Sequence, residues 1–273
     1  MSTINTNLSS LNAQRNLTKS NNELSTSMQR LSSGLRVNSA KDDAAGMSIA
    51  TKMDAQIRGM SQASRNANDG ISMIQTADGA LSNISDALQR MRELAVQGAN
   101  ATNGTDEWNN IDTEMKALNT EIGRIASDTK FNGNALLTAT AVSKDIQVGA
   151  DSGQKITVSF GANTAYAGLS ATSIVVTDVT SASAAISAID GALKALNTER
   201  ASLGTAQNRM GYAISNLATS VENQSAAKSR ITDTDYASET SKLSRAQILQ
   251  QAGTAMLAQA NSAPNSVMSL LRG

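Results

Sequence analysis

The chain has 273 residues, enough for about two ordinary domains, with no cysteine, no histidine, one proline and 23 basic against 23 acidic side chains. The lack of His and Cys excludes imidazole and thiolate catalysis and ordinary zinc sites, and zero net charge argues against nucleic-acid binding. We therefore expect no catalytic residue, no metal site and no cofactor, and since one proline permits very long helices, we expect a helical protein.

Both ends of the chain read as amphipathic helices. Apolar side chains recur in residues 2–36 and 236–272 at steps of three, four or seven, which places them on one stripe of a helix. We expect each stripe to be covered first by the other end of the chain and then by neighbouring molecules. The residues predicted to drive this polymerisation are Leu8, Leu11, Leu24, Met28, Leu31, Leu249, Met256 and Leu270.

Glycine, serine and asparagine between residues 32 and 46 predict a hinge after the first stripe. The pair Asp42 and Asp43 admits a catalytic or metal-binding reading, but carboxylates at a helix start are favoured by the helix dipole, and no further ligand accompanies them. A long helix is predicted from about 47 to 97, because apolar positions alternate at four and three residues as in a coiled coil. A shorter helix at 107–127 is expected to fold back on it.

The pattern in the middle of the chain changes to the period of a β-strand. Ile146 and Val148, then Ile156, Val158 and Phe160, alternate with polar residues around a predicted turn at 150–153. A turn is also predicted at 132–133 and a further strand at 173–179. Serine and threonine in this region could carry glycans, although ordinary turn chemistry is the favoured explanation.

The last long helix is predicted from about 184 to 227, again with coiled-coil spacing. Arg200 and Gln207 lie within its apolar seam, where polar residues commonly set register. A second hinge is expected at 230–236. Asp233 and Asp235 there are two residues apart, as in a calcium loop, but the glycine and closing glutamate of such a loop are missing.

Several segments closely resemble bacterial flagellin, and the likeness covers essentially the whole chain. They are residues 4–7 (INTN), the hinge 33–46, residues 89–97 (QRMRELAVQ), 131–133 (FNG), 244–253 (SRAQILQQAG) and 267–272 (VMSLLR). The resemblance implies a mainly α fold, a long antiparallel helical bundle or coiled coil with a small β-hairpin region, in which the N- and C-terminal halves pair. It further implies a structural filament subunit, without catalysis, that serves swimming motility.

The resemblance also implies domain limits. Residues 1–45 and 232–273 would form an inner coiled coil, and 46–183 with 184–231 would form a helical bundle. A short variable segment at about 161–183 would replace the large outer insert of longer flagellins.

Export and partners follow from the same resemblance. The subunit would be secreted through the flagellar type III apparatus without a cleaved leader, and would assemble into the extracellular filament as a helical homopolymer. A dedicated export chaperone would hold residues 236–273, and filament cap and hook-junction proteins would be further partners. No apolar run approaches the ~20 residues of a membrane span, so no membrane insertion is expected.

The resemblance assigns one further surface. Gln89, Arg90, Leu94, Gln97 and Glu114 match residues that flagellins present to a host flagellin-sensing Toll-like receptor. The same patch could exist for contacts between subunits, and we expect both roles to hold, with receptor recognition exploiting a surface used in assembly. A secondary role as a surface polysaccharide-binding protein through the β region is an alternative, although only Phe160 and Tyr166 offer aromatic rings there. A carboxylate-based hydrolase is a further alternative, which the scattered acidic residues disfavour.

Overall fold

The computed structural model describes residues 6–161 and 174–272, with side chains to residue 262. Its helices are α1 Leu8–Ser33, α2 Ala44–Gly98, α3 Thr105–Asp128, α4 Val179–Thr232 and α5 Tyr236–Arg272. Its strands are β1 Lys130–Phe131, β2 Asn134–Ala135, β3 Val142–Gln147 and β4 Lys155–Phe160. The predicted mainly α fold with a small β-hairpin region is confirmed, and the helix limits lie within a few residues of those expected.

The chain divides into two compact units. The terminal unit comprises residues 1–55 and 223–273, and the bundle unit comprises residues 56–222. Helices α2 and α4 each contribute residues to both units.

The bundle unit is built on a large apolar core shared by α2, α3, α4 and the β3–β4 hairpin. Its fully buried side chains include Ile84, Leu88, Met91, Met115, Ile122, Val158, Phe160, Ile189 and Leu196. Helices α2 and α4 run antiparallel, since Asp78 pairs with Arg200 and Arg92 pairs with Asp190. Helix α3 folds back on α2, where Trp108 Nε1 donates to the Gly98 carbonyl at 2.8 Å.

The two hairpins have the turn chemistry that the sequence indicates. Asn132 and Gly133 have positive φ values of 47° and 79° and join β1 to β2, a conformation that Asn and Gly adopt readily. Strands β3 and β4 pair antiparallel from Val142 opposite Phe160 to Gln147 opposite Lys155. Alternate residues of β4 are buried, with Ile156, Val158 and Phe160 facing the core.

The strand predicted at 173–179 is wrong over the residues that the structure describes there. Ile174 and Val176 are buried against the core without a neighbouring strand, and α4 already begins at Val179. The Asp178 carboxylate accepts from the Ser181 amide at 2.6 Å, and this cap fixes the helix start. The alternating burial of Ile174 and Val176 therefore comes from their direct packing on the bundle core. Residues 162–173 of the expected variable segment lie outside the described residues.

Candidate assembly surface

Helices α1 and α5 of the terminal unit pair antiparallel along a regular seam. Asn7 Nδ2 donates to the Ala260 carbonyl at 2.7 Å near one end, and Ser27 Oγ donates to Glu239 Oε1 at 2.8 Å near the other. Between these contacts the more buried positions alternate at three and four residues. They are Ser10, Ala13, Leu17, Ser20, Leu24, Ser27 and Leu31 on α1, and Glu239, Leu243, Ala246, Gln250, Gly253, Leu257 and Ala260 on α5.

Small side chains dominate the buried part of this seam. Ser10, Ser20, Ser27 and Ala246 are each less than a tenth exposed, and a Cβ added at Gly253 would lie 3.2 Å from Leu17 Cδ1. Small residues let the two backbones approach closely, but they remove little apolar area from water. The leucines of the seam are only partly buried, so the pair removes little apolar surface from water within one molecule.

Large apolar side chains lie on the outer faces of the same two helices. Their exposed fractions are 62% for Leu8, 46% for Leu11, 57% for Met28, 66% for Ile248, 46% for Leu249 and 64% for Met256. We call these six residues the outer apolar set. Large apolar side chains left exposed on a folded unit are typical of interaction surfaces in proteins, so this set is the candidate assembly surface.

The residues predicted for polymerisation therefore separate into two groups. Leu8, Leu11, Met28, Leu249 and Met256 belong to the outer apolar set, whereas Leu24 and Leu31 are half-buried at seam positions. Leu270 is helical, but its side chain lies outside the described residues. The pairing of the two ends was predicted, but sequence reasoning missed the serines of the seam because it followed leucine and methionine. Counting the serines at the same spacing would have found them.

The ends of the helices account for the acidic pairs noted in the sequence. Asp43 Oδ1 accepts from the Gly46 amide at 2.8 Å at the start of α2, and Asp235 Oδ1 accepts from the Ala237 amide at 3.0 Å at the start of α5. A hydrogen bond from the Ser39 hydroxyl lowers the pKa of Asp42, and the Ser39 and Asn38 amides lower it further. These carboxylates therefore cap helices and turns, and within the described residues no group of three or more acidic side chains could hold a metal ion.

The predicted receptor patch lies on the bundle unit at the α2–α3 contact. Arg90 donates to Glu114 Oε1 at 3.0 Å and pairs with Glu93 at 3.2 Å, and these hydrogen bonds raise the pKa of Arg90. Gln89 and Gln97 are exposed. Leu94 is only 3% exposed and belongs to the core, so the surface consists of the polar members with Leu94 beneath them.

Within residues 6–161 and 174–272, none of the helices combines the length and hydropathy that crossing a bilayer requires.

Two family models match most of the chain. The bacterial flagellin N-terminal helical region matches residues 4–142, and the bacterial flagellin C-terminal helical region matches residues 186–271. A flagellin from Halalkalibacterium halodurans is 48% identical over 272 residues, which cover 98% of this chain and 99% of that protein. The crystal structure of Bacillus cereus flagellin, 34% identical, has a TM-score of 0.50 and covers 60% of this chain and 94% of that one.

A longer relative differs by an internal segment. Flagellin B of Vibrio cholerae is 36% identical over 371 aligned positions, which cover 98% of this chain and 99% of that protein. Because this chain has 273 residues, the Vibrio protein contains a long stretch without a counterpart here.

Proposed function

The chain belongs to the bacterial flagellin family, whose members are structural subunits of the extracellular flagellar filament, and we propose that it polymerises through the outer apolar set of α1 and α5. The exposure of those six side chains carries the proposal. Full burial of a Leu, Ile or Met side chain contributes roughly 1.5–3 kcal/mol. Covering even half of this surface on a neighbouring copy would offset a substantial part of the entropy lost on association.

The segments 1–45 and 232–273 supply this polymerising coiled coil, and residues 46–231 supply the bundle of the subunit. The seam residues Leu24 and Leu31 act within the subunit, where they hold α1 on α5. The outer residues Leu8, Leu11, Met28, Leu249 and Met256 act between subunits, and Leu270 extends the same role toward the end of α5.

Seeded polymerisation of point variants tests this division of roles. The double variant Leu11→Ser with Leu249→Ser should elongate filament seeds at least tenfold more slowly at equal subunit concentration, because it removes apolar area that assembly buries. The matched control, Gln14→Ser with Gln251→Ser, changes exposed polar positions on the same helices and should elongate normally. Sedimentation and electron microscopy report filament mass, and normal elongation by the leucine variant would contradict the proposal.

Export precedes assembly in this scheme. A dedicated chaperone covers residues 236–273, and the subunit travels unfolded through the flagellar type III apparatus. Cap and hook-junction proteins lie at the ends of the growing polymer. The exposure of Ile248, Leu249 and Met256 supports a need for such cover on α5. Stable complex formation between the purified chaperone of the source bacterium and the full chain, lost on Ile248→Asp, would test this step.

Host recognition is a second role of the bundle unit. Arg90, held by Glu114 and flanked by the exposed Gln89 and Gln97, presents a charged polar surface that suits a receptor contact. Arg90→Ala should reduce signalling by the flagellin-sensing Toll-like receptor at equal monomer concentration. Arg92→Ala is the matched control, because Arg92 is a similarly exposed arginine that pairs with Asp190. Equal signalling by Arg90→Ala and the wild type would contradict this role.

Polysaccharide binding through the β region is the remaining secondary role. Sugar sites stack aromatic rings, and Phe160 of β4 is fully buried, while Tyr166 lies outside the described residues. Titration of the monomer with candidate glycans measures this role directly, and an absence of saturation would end it.

A further inference from the structure

The methionines of this chain divide sharply by exposure. In the bundle unit Met60, Met73, Met91, Met115 and Met210 are each at most 7% exposed. In the terminal unit Met28 is 57% exposed and Met256 is 64% exposed. Met47, also in the terminal unit, is less exposed at 38%. A thioether in contact with solvent meets dissolved oxidants, whereas one in a close-packed core does not.

Met28 and Met256, the two most exposed methionines among the side chains that the structure describes, lie at opposite ends of the α1–α5 pair. The contacts of Asn7 with Ala260 and of Ser27 with Glu239 place Met28 at the level of residue 239. The same antiparallel register places Met256 at the level of Leu11. Both side chains belong to the outer apolar set, so a change at either one alters the surface that assembly buries.

From these placements we propose that Met28 and Met256 are sites of sulfoxide formation in the free subunit, and that oxidation there blocks incorporation into the filament. The proposal rests on the assembly role of the outer apolar set. In the assembled polymer the neighbouring copy covers both side chains and protects them.

The chemistry needs only a hydroperoxide, such as hydrogen peroxide. A lone pair of the sulfur attacks the terminal peroxide oxygen, the S–O bond forms as the O–O bond breaks, and the displaced hydroxide takes up a proton as water. The sulfur is oxidised by two electrons and the peroxide is reduced by two. The product is a polar, chiral sulfoxide in place of an apolar thioether.

A sulfoxide on the assembly surface is costly to bury, because its oxygen must lose hydrogen bonds to water without a partner placed to replace them. We expect the subunit concentration needed to sustain filaments to rise roughly tenfold to hundredfold, which corresponds to the free energy of one or two unpaired polar groups. The helical content of the free subunit should change little, since neither side chain contributes to the seam or to the bundle core.

The experiment treats full-length subunit with hydrogen peroxide, removes the peroxide, maps sulfoxides by peptide mass spectrometry and measures seeded polymerisation by sedimentation. Met28 and Met256 should oxidise first, and the oxidised wild type should fail to elongate seeds. The variant Met28→Leu with Met256→Leu should elongate after the same treatment. Met47→Leu, which removes another exposed thioether of the terminal unit, should remain as sensitive as the wild type.

Three outcomes overturn the inference. The first is elongation of the oxidised wild type at the same subunit concentration as the untreated protein. The second is loss of elongation in the oxidised double leucine variant. The third is oxidation of Met28 and Met256 as fast in filaments as in free subunits. If the double variant fails to polymerise before treatment, each single leucine variant should lose less of its elongation on oxidation than the wild type, and an equal loss would overturn the inference. Failure of the untreated wild type to polymerise would instead count against the proposed function, so the two failures are distinguishable.

Discussion

The terminal unit and the bundle unit bury opposite kinds of side chain. In the bundle unit the inaccessible residues include many large ones beside alanines, as with Leu88, Met115 and Phe160 at 0% exposure. In the α1–α5 pair the buried residues are mostly serine and alanine, while leucine, isoleucine and methionine stand in solvent. The bundle unit thus satisfies its apolar surface within one molecule, and the terminal unit does not.

The two units also differ in charge. The terminal unit has 11 Lys and Arg against 7 Asp and Glu, and the bundle unit has 12 against 16. The zero net charge of the chain therefore conceals a basic unit and an acidic one. The surplus on the terminal unit gathers along the groove between α1 and α5, of about 640 Å³, where Arg15, Lys19, Arg30, Lys242 and Arg245 surround Glu23 and Glu239.

This contrast separates the side chains that stabilise the folded subunit from those that become buried only on assembly. A unit with a large apolar core is stable by itself, because burial of such side chains is the dominant favourable contribution to folding. A two-helix pair with a seam of small residues gains little from folding alone, and its outer side chains become useful only when another copy covers them. Substitutions that exchange these properties should separate stability from polymerisation.

The largest effect is expected from Leu88→Ala in the bundle core. Removing a fully buried leucine leaves a cavity, so the free energy of unfolding should fall by about 3 kcal/mol. Leu11→Ala, at a position 46% exposed, should change it by less than about 0.5 kcal/mol and should instead slow polymerisation. Denaturant unfolding of dilute monomer, with the bundle transition fitted separately, measures both, and similar losses would contradict the comparison.

A smaller effect is expected from Ala246→Leu in the seam. A larger side chain at this 1%-exposed position must push α1 and α5 apart, at a cost of about 1–3 kcal/mol that falls on the pair alone. Amide hydrogen exchange should quicken in α1 and α5 and stay unchanged in the bundle core. Ala258→Leu is the control, since Ala258 is exposed on the same helix; faster exchange throughout the bundle would show that the units are not separable in this way.

The long helices were predictable from the sequence because their period persists over many turns. Helices α2 and α4 exceed 50 residues each, and no short-range signal has to be read correctly to recognise a repeat of that length. The β3–β4 hairpin was equally accessible, because Ile156, Val158 and Phe160 alternate strictly with polar residues. The turn between β1 and β2 was predictable from residue type alone, because Asn132 and Gly133 favour it.

The seam and the start of α4 could not be predicted in the same way. Ser10, Ser20 and Ser27 are polar, and a hydrophobic pattern assigns them to solvent, yet close approach of the helices buries them. The alternation of Ile174 and Val176 suggested a strand, whereas tertiary contact with the core causes it.

Acid should loosen the α1–α5 pair of the terminal unit. Burial is the largest influence on the pKa of Glu239 and raises it, but hydrogen bonds from Ser27 and Lys242 and the charges of Lys242 and Arg30 together outweigh burial. The pKa therefore lies below the ordinary value of 4.5. Because folding lowers this pKa, the ionised carboxylate of Glu239 stabilises the folded α1–α5 pair above about pH 4.5. The contribution is lost as the pH falls through the folded-state pKa.

Hydrogen exchange of α1 and α5 between pH 6 and pH 3 measures this dependence. Glu239→Gln keeps the size of the side chain and removes its titration, so the variant should show a smaller change in pair stability over that range after correction for intrinsic exchange. Glu23→Gln, at an exposed position of α1, is the control and should retain the wild-type dependence. An unchanged dependence in Glu239→Gln would assign the acid effect to other groups.

The smallest effect is expected from the ion pair between Arg200 and Asp78 in the bundle unit. Arg200 Nε lies 2.7 Å from Asp78 Oδ1, with 36% and 44% of the two side chains exposed, so solvent screens the attraction. A double-mutant cycle with Arg200→Ala and Asp78→Ala should give a coupling of about 0.3–1 kcal/mol that falls with added salt. A polar pair inside an apolar seam selects register more than it adds stability. A coupling above about 2 kcal/mol would mean that charge, and not the buried core beside it, holds α4 on α2.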